Sequence, residues 1–413
     1  VITLYQLLAQ ILYFVILPFT WIAAKTGSVK WRQRMAFELP ERPHDVWLHA
    51  ASVGEVKIAS YLISYLKSER PSLSILLSVV TDNGYRIAKQ DLGTIAEVRF
   101  LPVDAAVPVA LTLDRVQPTL IGITETEIWP NFLAAAKVRN IPVILINGRM
   151  SERAHRRYRW IKRATTTILR IHEHFFFKTT DDAARYREFR VDDDRATVAG
   201  DMKFDAPLPD RSPEKIAASR RAAGTAPDSF LLVAGSTRPG EEELLCRMYA
   251  QLRSELPRLR LLLAPRHVDR VGEIRALIEQ TGLSSSIYGD AADDPGAVII
   301  VDRMGILGEL YMAADLAFVG GTLVDIGGHN ILEPVWAGTP VVYGSSLGNV
   351  REAASYIESR RYGQCVYNIE ELEKIITQLY RGNKLFAVKT TEDYHHSPTA
   401  MVGDYIIKRL HNV

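Results

Sequence analysis

Short, uninterrupted apolar runs alternate along this chain with longer stretches in which apolar positions recur every three or four residues. The runs VWLHA (46–50), SILLSVV (74–80), EVRFLPV (97–103), TLIGIT (119–124), PVILIN (142–147) and HFFFKT (174–179) predict strands buried on both faces. Helical patterns lie between them, clearest in EIWPNFLAAAKVRN (127–140) and from Ser151 to Ile171. Such alternation builds a parallel sheet covered on both sides. The stretch DMKFDAPLPDRSPEK (201–215), with three prolines and several charges, breaks the rhythm and reads as an interdomain linker. The alternation then restarts with FLLVAGS (230–236), LRLLLAPR (259–266), AVIIVDR (297–303), LAFVGG (316–321), PVVYG (340–344) and GQCVY (363–367). The expected architecture is two doubly wound α/β units in series with a cleft between them, and ligands in such sheets bind beyond the carboxyl ends of the strands.

The N-terminus follows a different pattern. No charged residue occurs from Val1 to Ala24, and ILYFVILPF (11–19) is almost wholly apolar. As a helix these residues would extend about 36 Å, enough for a hydrocarbon core of about 30 Å. Lys25, Lys30, Arg32 and Arg34 follow at once, which assigns the C-terminal flank to the cytoplasm. A cleaved signal peptide would carry its basic residues before the apolar run. Pro18, Gln6 and Gln10 leave open a helix lying in the interface instead of spanning it, and a helix docked on protein is the remaining alternative.

Composition narrows the function classes. The 413 residues are 47% hydrophobic and 24% charged, enough for two real cores. A net charge of +2 gives no global field for nucleic acid, so any anion site must be local. Cys246 and Cys365, the only cysteines, are too far apart in sequence for a zinc knuckle or a disulfide framework and read as small buried residues.

Three strand-end motifs carry candidate chemistry. In His49-Ala50-Ala51-Ser52-Val53-Gly54-Glu55, Ser52 and Gly54 suit a tight turn and Glu55 falls in the first turn of the next helix, where the dipole favours a carboxylate. Helix support alone would explain Glu55; its place at a strand end also suits a general base. Thr124-Glu125-Thr126-Glu127 puts two glutamates around another strand end, with Glu125 expected inward and Glu127 expected to support the next helix. Gly320-Gly321-Thr322 through Gly327-Gly328-His329-Asn330-Ile331-Leu332-Glu333 reads as a loop whose exposed backbone N–H groups bind phosphate, with Glu333 accepting from ribose hydroxyls. Ser236 and Arg266 follow strands of the second unit, and Lys203, at the linker, is expected to reach the cleft. No P-loop and no Asp-x-Asp metal pair occurs. The segment 151–174, with Arg153, Arg156, Arg157, Arg159, Lys162, Arg163 and Arg170, is either a solvated face or a surface for anionic lipid.

In order along the chain, HAASVGE, TETEIWPN, INGRMSER, GDMKFD, GSTRPGEE, APRH, DRMG…ELY and FVGGTLVDIGGHNILEP make it resemble the bacterial 3-deoxy-D-manno-octulosonic acid (Kdo) transferases of lipopolysaccharide biosynthesis, over essentially its whole length. The resemblance implies a GT-B fold and metal-independent, inverting transfer of Kdo from CMP-Kdo to the lipid A precursor (lipid IVA), without a cofactor, at the cytoplasmic side of the inner membrane. It implies an anchor over 1–30, an acceptor domain over 31–205 and a CMP-Kdo-binding domain over 206–413, whose last helix packs back on the first domain in some arrangements. It assigns Glu55 the base role and gives Glu125 importance. Nucleotide binding passes to Ser236, Arg266, Gly328, Asn330 and Glu333; Ser52, Gly54, Lys203 and Gly327 complete the expected substrate-binding set. Two positions depart from the pattern. Many members read S-T-H where this chain has Ser236-Thr237-Arg238, so no role of that His carries over, and of G-P-x-T-x-N only Gly344 and Asn349 remain.

The competing readings are a GT-B transferase using a UDP-sugar on an envelope lipid, a sugar-nucleotide epimerase of the same two-domain plan, and a non-catalytic membrane scaffold. Epimerases act on soluble substrates and need no anchor; a scaffold would tolerate loss of the paired glutamates.

Overall fold

The computed structural model describes residues 2–206, 208–290, 294 and 296–411. Val1 of the expected anchor, Pro207 of the expected linker and the last two residues of the expected second domain lie outside these. The chain divides into two compact units, residues 1–205 with 395–413, and residues 206–394.

Each unit is built on a seven-stranded, wholly parallel sheet. In the first unit the strands are β1 (Val46–Ala50), β2 (Ile75–Val79), β3 (Glu97–Phe100), β4 (Leu120–Thr124), β5 (Val143–Gly148), β6 (His172–Phe177) and β7 (Ala196–Val198), in the order β3-β2-β1-β4-β5-β6-β7. Alternation along β1 shows why an unbroken apolar run suits it. Val46, Leu48 and Ala50 enter one core with the helix Val53–Glu69, and Trp47 enters the other with Phe132 and Leu133. The second unit has β8 (Phe230–Thr237), β9 (Leu259–Pro265), β10 (Ser285–Ile287), β11 (Val298–Ile300), β12 (Leu316–Val319), β13 (Val341–Gly344) and β14 (Gly363–Val366), in the order β10-β11-β9-β8-β12-β13-β14. All twelve strands expected from apolar runs are present; β7 and β10, three residues each, have no such run.

Both sheets have one place where sequential growth reverses direction. In the first it lies between β1 and β4, paired with His49 opposite Ile123; in the second it lies between β8 and β12, paired with Gly235 opposite Val319. These are the topological switch points at which doubly wound sheets bind ligands.

Two expectations need correction. The linker does not start at Asp201: residues 201–205 are built into the first unit. Met202 is buried, its N–H donates to Asn147 Oδ1 at 2.9 Å, and Asp205 Oδ2 accepts from the backbone and hydroxyl of Thr399 at 2.8 and 2.9 Å. Thr399 opens the final helix, Pro398–His411, which packs on the helix Val53–Glu69, so residues 395–411 belong to the first unit. The segment Ser151–Ile171 is not one helix. It breaks at Ile161 into Glu152–Trp160 and Lys162–Leu169, because Ala164, Thr165, Ile168 and Leu169 turn into the core whereas Glu152–Trp160 buries no residue.

The apolar N-terminal stretch forms one helix, Ile2–Lys25, long and apolar enough to cross a membrane by length and composition. One side of it is docked on the first unit. Tyr13 is buried against Met35 and Ala105, Tyr5 Oη donates to Asp104 Oδ2 at 2.9 Å, and Gln10 Oε1 accepts from the Ala106 N–H at 3.0 Å. The other side leaves Leu12, Val15, Phe19 and Ile22 more than half exposed. The basic flank read from the sequence is largely used within the protein. Lys30 pairs with Asp82 at 2.8 Å, Arg32 pairs with Glu38 at 2.9 Å, and burial pushes the Arg34 guanidinium below its usual range.

Candidate functional site

At the first switch point, β1 ends at Ala50 and the chain turns through Ser52, the N-cap of the helix Val53–Glu69. Glu55 in the first turn folds back under this turn and is buried. Its Oε2 accepts from the Ala51 N–H and from Thr124 Oγ1, both at 2.9 Å, and its Oε1 accepts from Ser52 Oγ at 2.9 Å. A carboxylate offers about four lone-pair positions, so three protein donors fix its orientation and leave one direction for a further donor. Thr124 is the last residue of β4, so one carboxylate ties together the two strands of the switch point. An added Cβ on Gly54 would meet nothing within 4 Å among the described residues, so the turn above Glu55 is open.

Glu125 follows directly with a left-handed φ of 56°, a conformation that costs a side-chain-bearing residue about 1–3 kcal/mol and often marks a functional turn. Its N–H still donates to Ile146 O at 2.8 Å, and its carboxylate lies 3.4 Å from the Arg149 guanidinium. Burial raises the Glu125 carboxyl, and the neighbouring Glu55 raises it further, against the pull of Arg149 and Lys178. Glu127 is raised for the same first reason, burial, and by Glu55 next. A fourth carboxylate, Asp201, accepts from Asn147 Nδ2 at 3.2 Å and pairs with Lys178 at 2.7 Å and Lys203 at 3.6 Å. Lys203 therefore belongs to the first unit's strand-end cluster and not to a linker.

His49, which opens the first motif, is fully buried. Its Nδ1 lies 2.9 Å from Ser78 Oγ and its Nε2 accepts from Trp129 Nε1 at 3.2 Å. Burial pushes its pKa down to about 4, so it is a neutral strut that locks Trp129 of the fourth-strand motif to the first-strand motif. This pairing is not visible along the chain, since the two residues are 80 positions apart.

At the second switch point β8 ends in Ser236 (φ 56°) and Thr237, and the helix Glu241–Leu252 follows. Glu241 was not singled out from sequence, yet it organises this edge. It is fully buried; its Oε2 accepts from the N–H groups of Arg238 and Gly321 at 3.0 and 2.8 Å, and its Oε1 from those of Thr322 and Leu323 at 3.1 and 3.0 Å. Burial raises its carboxyl despite these four donors. The glycine at 320 is required by this closeness, because a Cβ there would sit 2.5 Å from Ser236 O and 2.7 Å from the Glu241 carboxylate.

This arrangement corrects the picture of a loop with free N–H groups. Those of Gly321, Thr322 and Leu323 are held by Glu241, that of Gly327 by Ser346 Oγ at 2.9 Å, and that of Gly328 by Gly321 O at 2.8 Å. Gly327 and Gly328, with φ of 91° and 86°, shape the loop; they do not present it as a bare anion cradle. Asn330 is exposed, and Glu333 lies in the short helix Leu332–Trp336. Glu333 lines a mostly apolar cavity of about 540 Å³ with Leu208, Pro209, Gly305, Gly308 and Trp336. Arg266 and Ser236 sit beside Arg238 at the ends of β9 and β8, so the structure gathers Ser52, Gly54, Glu55, Glu125 and Lys203 on one sheet edge and Ser236, Arg266, Gly327 and Gly328 on the other. Among the described residues no three His, Cys, Asp or Glu side chains converge as a metal site.

A family model of the 3-deoxy-D-manno-octulosonic-acid transferases (kdotransferases) matches residues 29–206. A 3-deoxy-D-manno-octulosonic acid transferase of Chlamydophila psittaci is 31% identical over 353 residues, 84% of this chain and 80% of that protein. The chain belongs to this family. A bifunctional glycosyltransferase/methyltransferase of Fusobacterium nucleatum is 32% identical over 379 residues, which are 90% of this chain but only 58% of that longer protein. The fold is shared more widely: a UDP-GlcNAc 2-epimerase from Neisseria meningitidis superposes with a TM-score of 0.53 over 89% of this chain and 100% of its own, at 14% identity. The two parallel α/β units are thus those of the GT-B plan, and the enzyme is a glycosyltransferase of the Kdo transferase family.

The family model covers most of the first unit, including the transferase's Glu55, Glu125 and Asp201 clusters. The second switch point is where Glu241 and Arg238 lie, the two residues whose parts are visible only in three dimensions.

Proposed function

We propose that this transferase moves Kdo from CMP-Kdo to a hydroxyl of the lipid A precursor, with inversion at the anomeric carbon. The observation that carries the reading is Glu55, a buried carboxylate at the first switch point, oriented by three donors and open on the Gly54 side. The acceptor oxygen attacks the anomeric carbon, the bond to the phosphate oxygen breaks, and CMP leaves with the electron pair. The acceptor proton passes to Glu55. Glu125, held by Arg149, positions the sugar hydroxyls beside it. In the second unit Glu333 accepts from the ribose hydroxyls, Ser236 and Asn330 take polar contacts of the nucleotide, and Arg266 meets the negative charge of the donor. Side-chain cations neutralise the leaving nucleotide in this reading, with no cofactor involved. Equilibrium binding tests the donor: the full chain is expected to bind CMP at least tenfold more tightly than UMP or UDP, and mass spectrometry of the product from CMP-Kdo and a tetra-acylated lipid A precursor should show added Kdo. Preference for UDP would replace the reading with a UDP-sugar transferase.

We further propose that the exposed face of Ile2–Lys25 rests in the cytoplasmic leaflet of the inner membrane, beside the lipid acceptor. Its apolar side chains and the exposed Trp160 support this, as do the basic residues of 151–174. Replacing Val15 and Phe19 by Asp should abolish co-flotation with anionic vesicles while CMP binding is unchanged. Continued flotation of that variant would reject the helix as the attachment.

A further inference from the structure

Arg238 stands where the sequence departs from S-T-H, and the fold surrounds it with rings instead of acids. Its Nε donates to His329 Nε2 at 3.0 Å, and its Nη1 lies 2.8 Å from His267 Nε2. A guanidinium only donates, so each ring meets Arg238 through Nε2 as the acceptor. Arg266 is close by: it precedes His267, its N–H donates to Thr237 O at 3.1 Å, and its charge acts on His329. Arg238 and His267 follow the ends of β8 and β9, and His329 lies in the loop after the adjacent β12, at the second switch point.

A guanidinium in a folded protein ordinarily meets a carboxylate. Among the described residues no carboxylate forms an ion pair with Arg238, Arg266, His267 or His329. Glu241 accepts from the backbone N–H of Arg238, and its two oxygens already receive four backbone N–H groups. Burial holds His329 below its usual range, and Arg238, Arg266 and His267 hold it lower still. The cluster therefore repels further positive charge, and among the described residues no ion pair neutralises its two arginines. Two of the five guanidinium N–H groups of Arg238 are committed to the rings, which fix its plane and leave three for a ligand.

We propose that Arg238, held in plane by His267 and His329, is a receptor for an oxyanion of the donor substrate. The inference rests on the reading of the chain as a Kdo transferase, whose donor carries two such groups, the nucleotide phosphate and the sugar carboxylate. A planar fork suits either one through paired N–H donors. His267 and His329 are positioning residues.

The test compares wild-type full-length enzyme with Arg238→Ala, Arg238→Lys and His329→Ala, after thermal melts confirm folding, for binding of cytidine, CMP and CMP-Kdo. A loss of tenfold or more for both CMP and CMP-Kdo, with cytidine unchanged, assigns the fork to the phosphate. A loss for CMP-Kdo alone assigns it to the carboxylate. Lysine keeps the charge but not the plane and should restore only part of the loss; His329→Ala should fall between lysine and wild type. Equal losses for all three ligands, or none for any, overturn the proposal. If wild-type enzyme binds no cytidine nucleotide, the donor reading itself falls. Inorganic phosphate, followed through the ring resonances of His267 and His329, then decides the receptor: a perturbation lost in Arg238→Ala upholds it, and silence overturns it.

Discussion

The two switch points are built alike and charged oppositely. In each, a strand ends, the chain turns, and a glutamate from the following helix reaches back to bind the turn and its neighbour across the sheet. Glu55 receives one backbone N–H and two hydroxyls, and it keeps company with Glu125, Glu127 and Asp201. Glu241 receives four backbone N–H groups and is enclosed, and the side chains beyond it are Arg238, Arg266, His267 and His329. The difference lies in how much of each carboxylate the protein itself uses. Glu55 has acceptor capacity left over, which is what a proton acceptor needs. Glu241 has none left, which is what a brace needs. The same scaffold thus yields an acid-rich edge suited to moving a proton and a cationic edge suited to holding an anion.

The sharpest way to break this comparison is Glu55→Gln. General-base help of this kind is worth about 10²–10⁴ in rate, so turnover should fall by at least 100-fold while CMP-Kdo still binds. The amide also presents an N–H₂ toward groups that now donate, so some loss of melting temperature is expected in parallel. If turnover falls no further than the loss of folded enzyme explains, Glu55 is a brace like Glu241 and the contrast between the edges disappears.

Next in size is Glu241→Ala, where the expected effect is on stability. Leaving buried donors without an acceptor costs about 1–3 kcal/mol for each group, and four N–H groups lose theirs, so a destabilisation of at least about 3 kcal/mol is expected. Chemical denaturation should show the loss, together with weakened CMP binding as the loop 320–328 loosens. A variant of unchanged stability that lost only turnover would place Glu241 among the reacting groups.

Much of this was legible in the sequence. Twelve strands were visible because parallel strands are covered on both faces and read as unbroken apolar runs, and the first-turn position of Glu55 followed from the end of one such run. What was hidden depended on partners distant in sequence. Glu241 looked like one of three consecutive glutamates at a helix start, and only the approach of residues 321–323 gives it a task. The free N–H groups expected of the glycine loop were lost to that same glutamate and to Ser346, 19 residues beyond Gly327. The basic segment looked like a single helix because its polar pattern is continuous; the break at Ile161 reflects which half meets the core. GDMKFD looked like linker because prolines follow it, although Asp201 and Asp205 are tied to Asn147, Lys178 and Thr399.

The smallest effect tests whether the acidic edge is strained for function. Burial and the nearby Glu55 raise the Glu125 carboxyl above its usual range, and this outweighs the attraction of Arg149. Between the unfolded value, about 4.3, and the raised folded value, the folded chain keeps a proton that the unfolded chain has released. Stability therefore falls as pH rises through that window, and the full penalty remains at neutral pH. Glu125→Gln removes the charge and with it the penalty, so the variant should melt no lower than wild type at pH 7, and by preference slightly higher. The advantage should shrink as pH is lowered through that window and be gone below about 4.3, where the carboxyl is neutral folded and unfolded. Turnover should nevertheless drop, with altered Michaelis constants, because the carboxylate that orients the sugar is gone. A melting temperature several degrees lower at pH 7 would show that the pairing with Arg149 at 3.4 Å outweighs the cost of burial. Glu125 would then be a brace, and the acid-rich edge would owe its chemistry to Glu55 alone.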